Sequence, residues 1–120
     1  MYYIASPYSH PDPAVIKKRF EGACRATMTL MRRGYVVFSP IAHSHAIENV
    51  VGESEGHDFW MGQDLAILGK CEGLIVLRLD GWDKSRGVAE EIETARFFSI
   101  PITYLDPGRV HVESIGDEAF

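Results

Sequence analysis

The sequence predicts an α/β domain: a single doubly wound, mostly parallel sheet of about four to five strands with helices on both faces. Three observations lead there. Four short runs rich in β-branched and aromatic residues, "MYYIA", "YVVFSP", "GLIVLRL" and "IPITYL", punctuate the chain. Between them lie stretches whose apolar residues recur at helical spacing. The third run is apolar almost throughout, as a strand covered on both faces must be. Strands alternating with helices imply parallel pairing through right-handed crossovers.

Each element follows in order. "MYYIA" reads as the first strand. It stops at "SPYSHPDP", where Pro7, Pro11 and Pro13 bar helix and strand alike. "PAVIKKRFEGACRATMTLMRRG" is a long amphipathic helix, with Pro13 in its first turn and Gly34 at its C-terminal cap. "YVVFSP" is the second strand, ended by Pro40. Residues 41–57 fit either a short helical turn or a Gly-rich loop. "DFWMGQDLAILGKC" is a helix begun by Asp58 as N-cap. "GLIVLRL" is the central strand and "DGWDK" a loop. "SRGVAEEIETARFF" is a helix capped by Ser85, and "IPITYL" is the last strand. The domain is expected over residues 1–106. Residues 107–120, containing His111, read as a polar tail that docks on a partner subunit.

In doubly wound sheets ligands bind at the carboxyl ends of the strands, near the point where strand order reverses. That rule singles out the loops Ser6–Pro13, Ser39–His57 and Leu79–Ser85. No GxGxxG follows the first strand, and no GxxxxGK[ST] or GxSxG occurs. Dinucleotide-binding Rossmann sites, P-loop NTPases and α/β-hydrolase elbows are thereby disfavoured.

The formal net charge is −5. Lys17, Lys18, Arg19, Arg25, Arg32 and Arg33 lie along one helix among apolar positions, which reads as a solvated face and not a nucleic-acid footprint. Lys17 or Arg19 is within reach of a phosphate. Cys24 and Cys71 are far apart and form no CxxC, as in a reduced, cytoplasmic chain. No stretch resembles a signal peptide, and no apolar run approaches the roughly 20 residues that cross a bilayer.

The segment "SRGVAEEIETARFF" carries Glu90, Glu91 and Glu93. At about 100° per residue, Val88, Ile92, Ala95 and Phe98 form the stripe that faces the sheet. Glu91 falls inside it, while Glu90 and Glu93 point toward solvent. Acids early in a helix favour its macrodipole, which accounts for the outer two. An inward carboxylate must instead be paired, hydrogen-bonded or functional. The preceding helix repeats the pattern. Trp60, Ile67, Leu68 and Cys71 form its inward stripe, and Asp64 lies between Trp60 and Leu68. Two inward acids on neighbouring helices can divide the roles of acid, base and nucleophile. On pattern alone Asp64 is more simply explained by bonds to a loop or an arginine.

At these residues the sequence resembles the nucleoside 2-deoxyribosyltransferase-like superfamily. The carriers are "SRGVAEEIETARFFSIPITYL", "QDL" at 63–65 and the opening "YYIASPY". The likeness spans about residues 2–105 and is closest to the small nucleotide N-glycosidase branch and its short bacterial and phage relatives. The resemblance implies Glu91 as the nucleophile that attacks C1′, with Asp64 as the assisting acid. It implies Ser85 and Gly87 at a 5′-phosphate or 5′-hydroxyl, and Ser6 with Tyr2 or Tyr3 along the sugar and base. A helix N-terminus suits an anion. Arg86 and Glu90 are bulkier than the family's usual residues there. The 41–57 segment matches nothing in the family, so the resemblance names no base.

"HSH" at 43–45, with His57 nearby, raises a metal reading, since zinc hydrolases use His pairs with a carboxylate. Nothing fixes a third ligand, so His43 and His45 are taken instead as crevice candidates, one of which touches base or phosphate while the other histidines are solvated. His10 is a further crevice candidate. Trp82 and Tyr8, in loops at strand ends, are the stacking candidates. Trp60 could also stack on a base and reads more simply as core. The expected function is cleavage or transfer at the N-glycosidic bond of a small (deoxy)nucleoside or its 5′-monophosphate, without metal or organic cofactor, by a homodimer or larger homo-oligomer. The alternatives are a non-catalytic nucleotide-binding module and a metal-dependent hydrolase using His43, His45 and Asp64.

Overall fold

Period-2 alternation sorts the strand residues onto two faces, and each face acquires its own helices. The computed structural model describes residues 1–110. Its elements are β1 (Tyr2–Ala5), α1 (Pro13–Arg32), β2 (Val37–Phe38), α2 (Pro40–Val51), α3 (His57–Leu68), β3 (Gly73–Leu77), α4 (Arg86–Phe97), β4 (Ile102–Leu105) and a helical turn, α5 (Pro107–Val110). All pairings are parallel, in the order β2-β1-β3-β4. Ile4, Ile75 and Leu77 pack with Ala26 and Leu30 of α1 on one face. Tyr3, Ala5, Leu74 and Val76 pack with Leu68 of α3 and with Val88 and Ala95 of α4 on the other. Every residue of β3 is buried, as its apolar run requires. This is the three-layer α/β architecture that the alternation of strands and helices predicts.

The helix starts follow capping chemistry. Asp12 accepts from the Ala14 N–H at 2.9 Å with Pro13 in the first turn, and Gly34 turns the chain out of α1 at φ +93°. Ser85 accepts from the Val88 N–H at 3.2 Å at the start of α4. Several boundaries differ from expectation. The 41–57 segment contains a full helix, α2: Ser39 accepts from Ala42 N–H, Pro40 stands at its start, and Gly52 ends it at φ +80°. Only Pro40 and Ile41 of α2 are buried, so no apolar stripe reveals it. α3 begins at His57 after Gly56, and Asp58 stands in the first turn instead of at the cap. The second strand shrinks to two residues. "DGWDK" includes a short 3-10 turn, Trp82–Lys84. Phe98 lies past the end of α4 and is exposed, because the chain turns away at Ser99 in the left-handed region at φ +57°.

The expected tail begins with α5, which packs against α1. The rest of that tail, with its expected docking on a partner, lies outside the described residues. Cys24 and Cys71 are both free. Among the described residues no helix is long and apolar enough to cross a membrane.

Candidate active site

The chain leaves β1 toward β2 on one side and returns to β3 on the other, so the strand order reverses beside β1. Loops diverge there and leave a cleft. Its volume is about 540 Å³. Four pieces of chain wall it: the β1–α1 loop with Ser6 and Tyr8, α2 with Glu48, α3 with Trp60 and Asp64, and the start of α4 with Ser85, Gly87 and Glu91.

The two inward acids meet this cleft. Glu91 is 4% exposed and Asp64 7%. Glu91 accepts a hydrogen bond from the Tyr3 hydroxyl. Burial pushes its carboxyl up to about 8, aided by the negative charges of Asp64 and Glu90. The Tyr3 bond favours the ionised form, but burial outweighs it. Tyr3 itself is raised, chiefly by burial and then by the charge of Glu91. Burial alone lifts Asp64 to about 6. Asp64 Oδ1 and Ser6 Oγ are buried side-chain atoms of the cleft wall without a hydrogen-bond partner. Buried polar atoms are rarely left so, and functional sites are the usual exception. Both therefore present unused bonding capacity to whatever fills the cleft.

The start of α4 and the turn before it bring basic and donor groups to the cleft wall. Lys84 and Arg86 line it together with Ser85 and Gly87. The Ser85 oxygen caps α4, which leaves its O–H free to donate outward. A Cβ on Gly87 would stand 3.4 Å from Met61 Cε and 3.9 Å from His57 Cε1, narrowing the gap between α3 and α4. Arg86 is engaged on its outer side. Its Nε donates to Glu90 at 3.0 Å, and a terminal nitrogen donates to Asp58 at 3.3 Å. Glu90 also meets His57 Nε2 at 3.2 Å, so it is a half-buried bridge between α3 and α4 and not a solvated charge. Glu93 is exposed, as expected.

Several expected contacts fall elsewhere. Tyr2 lies on the α1 side of the sheet, edge-on to Tyr35. Tyr3 stands behind Glu91 and does not line the cleft. His45 stacks on Phe20 at 3.8 Å and meets the Tyr8 hydroxyl with Nδ1 at 2.7 Å, so it supports a cleft residue from outside. His43 is exposed beside Phe38. His10 is exposed too, bonded through Nδ1 to the Asp12 N–H. Trp82 packs on Tyr104 outside the cleft. Arg19 donates to the carbonyls of Ser9 and Asp80 at 2.8 and 3.2 Å, tying two loops together instead of facing a phosphate. His43, His45 and Asp64 do not converge, and no three His, Cys, Asp or Glu side chains among the described residues form a metal site.

Sequence reasoning passed over some wall residues, Lys84 and Met61 among them, and ranked others differently. Trp60 belongs to the inward stripe of α3 but lies at its cleft end, its Nε1–H donating to Glu48 Oε2 at 2.7 Å. Glu48 lies in the segment that showed no period. His57 was weighed only as a metal ligand.

In structure the chain is similar to a 2-deoxyribosyltransferase from the psychrotolerant bacterium Bacillus psychrosaccharolyticus. The TM-score is 0.61 at 23% identity, covering 88% of this chain and 72% of that one. At that identity the likeness is one of fold. No curated protein matches the chain. A model of a domain of unknown function, DUF1937, matches residues 1–106. The chain therefore belongs to the DUF1937 family, built on the fold of the 2-deoxyribosyltransferase it resembles.

Proposed function

We propose that this protein cleaves or transfers at the N-glycosidic bond of a (deoxy)nucleoside or its 5′-monophosphate, with Glu91 as nucleophile. The observation that carries the reading is the convergence of two buried carboxyls, from α3 and α4, on one cleft of nucleoside size. Two such groups with different environments are what divided acid and nucleophile roles require. A shared fold with a 2-deoxyribosyltransferase agrees with it.

The chemistry balances as a double displacement. A Glu91 carboxylate oxygen attacks C1′ and forms an ester. The C1′–N bond breaks, and its electron pair leaves with the base, which takes a proton from Asp64. Water or a second base then attacks C1′, releases Glu91 and returns a proton to Asp64, so the anomeric configuration is retained. Tyr3 favours the ionised nucleophile through its hydrogen bond. The Ser85 hydroxyl, the first N–H groups of α4 and Lys84 receive the 5′ end. Ser6 faces the sugar. No residue role here calls for a metal or an organic cofactor.

One observation favours a second reading, a nucleotide-binding module without turnover. Burial raises the Glu91 carboxyl to about 8, which favours its protonated form at neutral pH, and a carboxylic acid is a poor nucleophile.

A chromatographic assay for free base separates the two. Wild type and Glu91→Gln are each incubated with ribo- and deoxynucleosides and their 5′-monophosphates, with and without a second base. Release by wild type and not by Glu91→Gln is the expected result. Binding without release from any substrate would leave only the module.

A further inference from the structure

We propose that Trp60 and Glu48 form a nucleobase subsite that prefers bases carrying an exocyclic amino group. The proposal rests on the reading that a nucleoside or nucleotide fills the cleft, and it names the part of the ligand that reading leaves open. Both residues line the cleft and both are half-buried. Trp60 stands four residues before Asp64 on α3, so the two project from one helix face about 5–6 Å apart. A base leaving C1′ with a proton from Asp64 therefore departs along the indole.

The indole is held for that role. Its N–H donates to Glu48 Oε2 at 2.7 Å, and the Phe59 ring meets it edge-on with centroids 5.2 Å apart. A tryptophan whose only polar atom is already satisfied offers a flat apolar face that needs no further partner. Stacking on such a face tolerates any base, so it supplies affinity without choice.

The choice falls to Glu48. The same Oε2 also accepts from the Glu55 N–H at 3.2 Å, which ties the loop ahead of α3 to α2. Both bonds fall on one oxygen, and among the described residues neither uses Oε1, which can therefore accept from a ligand. A carboxylate only accepts, so its free oxygen is complemented by an amino group and opposed by a carbonyl oxygen. Adenine and cytosine present the first at the position where hypoxanthine and uracil present the second.

The test uses the full chain carrying Trp82→Phe, which leaves Trp60 as the only tryptophan. Its emission is titrated with AMP, IMP, CMP and UMP and their deoxy forms, while base release is measured on the same samples. Expected is quenching of Trp60 with AMP bound roughly tenfold tighter than IMP, and CMP tighter than UMP, as for one hydrogen bond to a charged group. Glu48→Gln keeps an acceptor for the indole and adds a donor, so it should erase or invert that preference. Trp60→Phe and Trp60→Ala leave no tryptophan and are read by calorimetric titration, as is the parent; Trp60→Phe should weaken all four together, and Trp60→Ala should weaken them by roughly tenfold or more. Thermal unfolding checks each variant. Should Glu48→Gln fail to fold, the amino-to-oxo ratio in Trp60→Phe, expected unchanged while affinity falls, carries the test. Base release with Trp60 emission unmoved, or a preference that Glu48→Gln does not alter, overturns the subsite and leaves the glycosidic reading standing. Quenching with the stated preference but no release does the reverse.

Discussion

The Tyr3 hydroxyl donates to the Glu91 carboxyl, joining the first strand to the helix that follows the third across 88 positions of sequence. The pair sets how easily Glu91 ionises. Burial opposes the charge and the hydroxyl supports it. In Tyr3→Phe the support is gone, so the Glu91 pKa rises further and the arrangement with Glu91 ionised and Asp64 protonated becomes rarer. We expect kcat/KM at pH 7 to fall roughly tenfold, with the alkaline limb of the pH profile displaced upward and the rising limb unmoved. A profile unchanged in position would show that the bond does not tune the reaction.

The two carboxyls titrate as a pair. Catalysis needs Glu91 ionised and Asp64 protonated, yet Glu91 is raised to about 8 and Asp64 only to about 6. The productive form is then a minor arrangement of the singly protonated pair, and kcat/KM should be bell-shaped with limbs near those two values. Asp64→Asn should abolish the alkaline fall for substrates whose base needs a proton to leave. Steady-state kinetics from pH 5 to 10 decides this.

Stability should follow the same groups. Glu91 binds its proton more tightly when folded than when unfolded, so the stabilisation is fully present below about pH 4.5 and is lost as pH rises through about 8. Each unit of that shift corresponds to about 1.4 kcal/mol. Glu91→Gln cannot ionise and can still accept from Tyr3. Its melting temperature should fall less than that of wild type between pH 6 and 9, by an amount on the order of a few kcal/mol of stability. Parallel melting curves would contradict the assignment.

Arg19 holds the cleft's loops without touching its chemistry, by bonding the Ser9 and Asp80 carbonyls. Gly81 sits beside it at φ +90°, where a Cβ would run into the guanidinium. Gly81→Ala should therefore lower the urea midpoint by about 1–3 kcal/mol of stability, through backbone strain and displacement of Arg19. Arg19→Ala should lose about 1–2 kcal/mol and weaken nucleotide binding, with the pH limbs of activity unmoved. Moved limbs would mean that Arg19 acts on the acid pair itself.

The alternation of strand and helix was legible because apolar periodicity is a local property: the burial of "GLIVLRL" and the inward stripe of α4 need only neighbours in sequence. The Ser85 cap and the Pro13 start of α1 were legible for the same reason. α2 was not, because it rests on α1 and the cleft rim with only Pro40 and Ile41 buried, and a helix without an apolar stripe has no period to read. Its start and stop residues, Ser39-Pro40 and Gly52, were the signal available.

The two acids stood out in the sequence as charges on apolar faces, a conflict that local propensity cannot explain. Only the tertiary structure decided what surrounds them. Tyr3 becomes the partner of Glu91 because β1 runs beneath α4. Trp60 becomes wall instead of core because its end of α3 stands over the cleft. His45 turns to Tyr8 and Phe20, and Trp82 to Tyr104, because packing satisfies them there. Period and capping depend on residues a few positions apart. The pairing of a strand residue with a helix 88 positions later depends on the order in which strands assemble, and no local pattern encodes it.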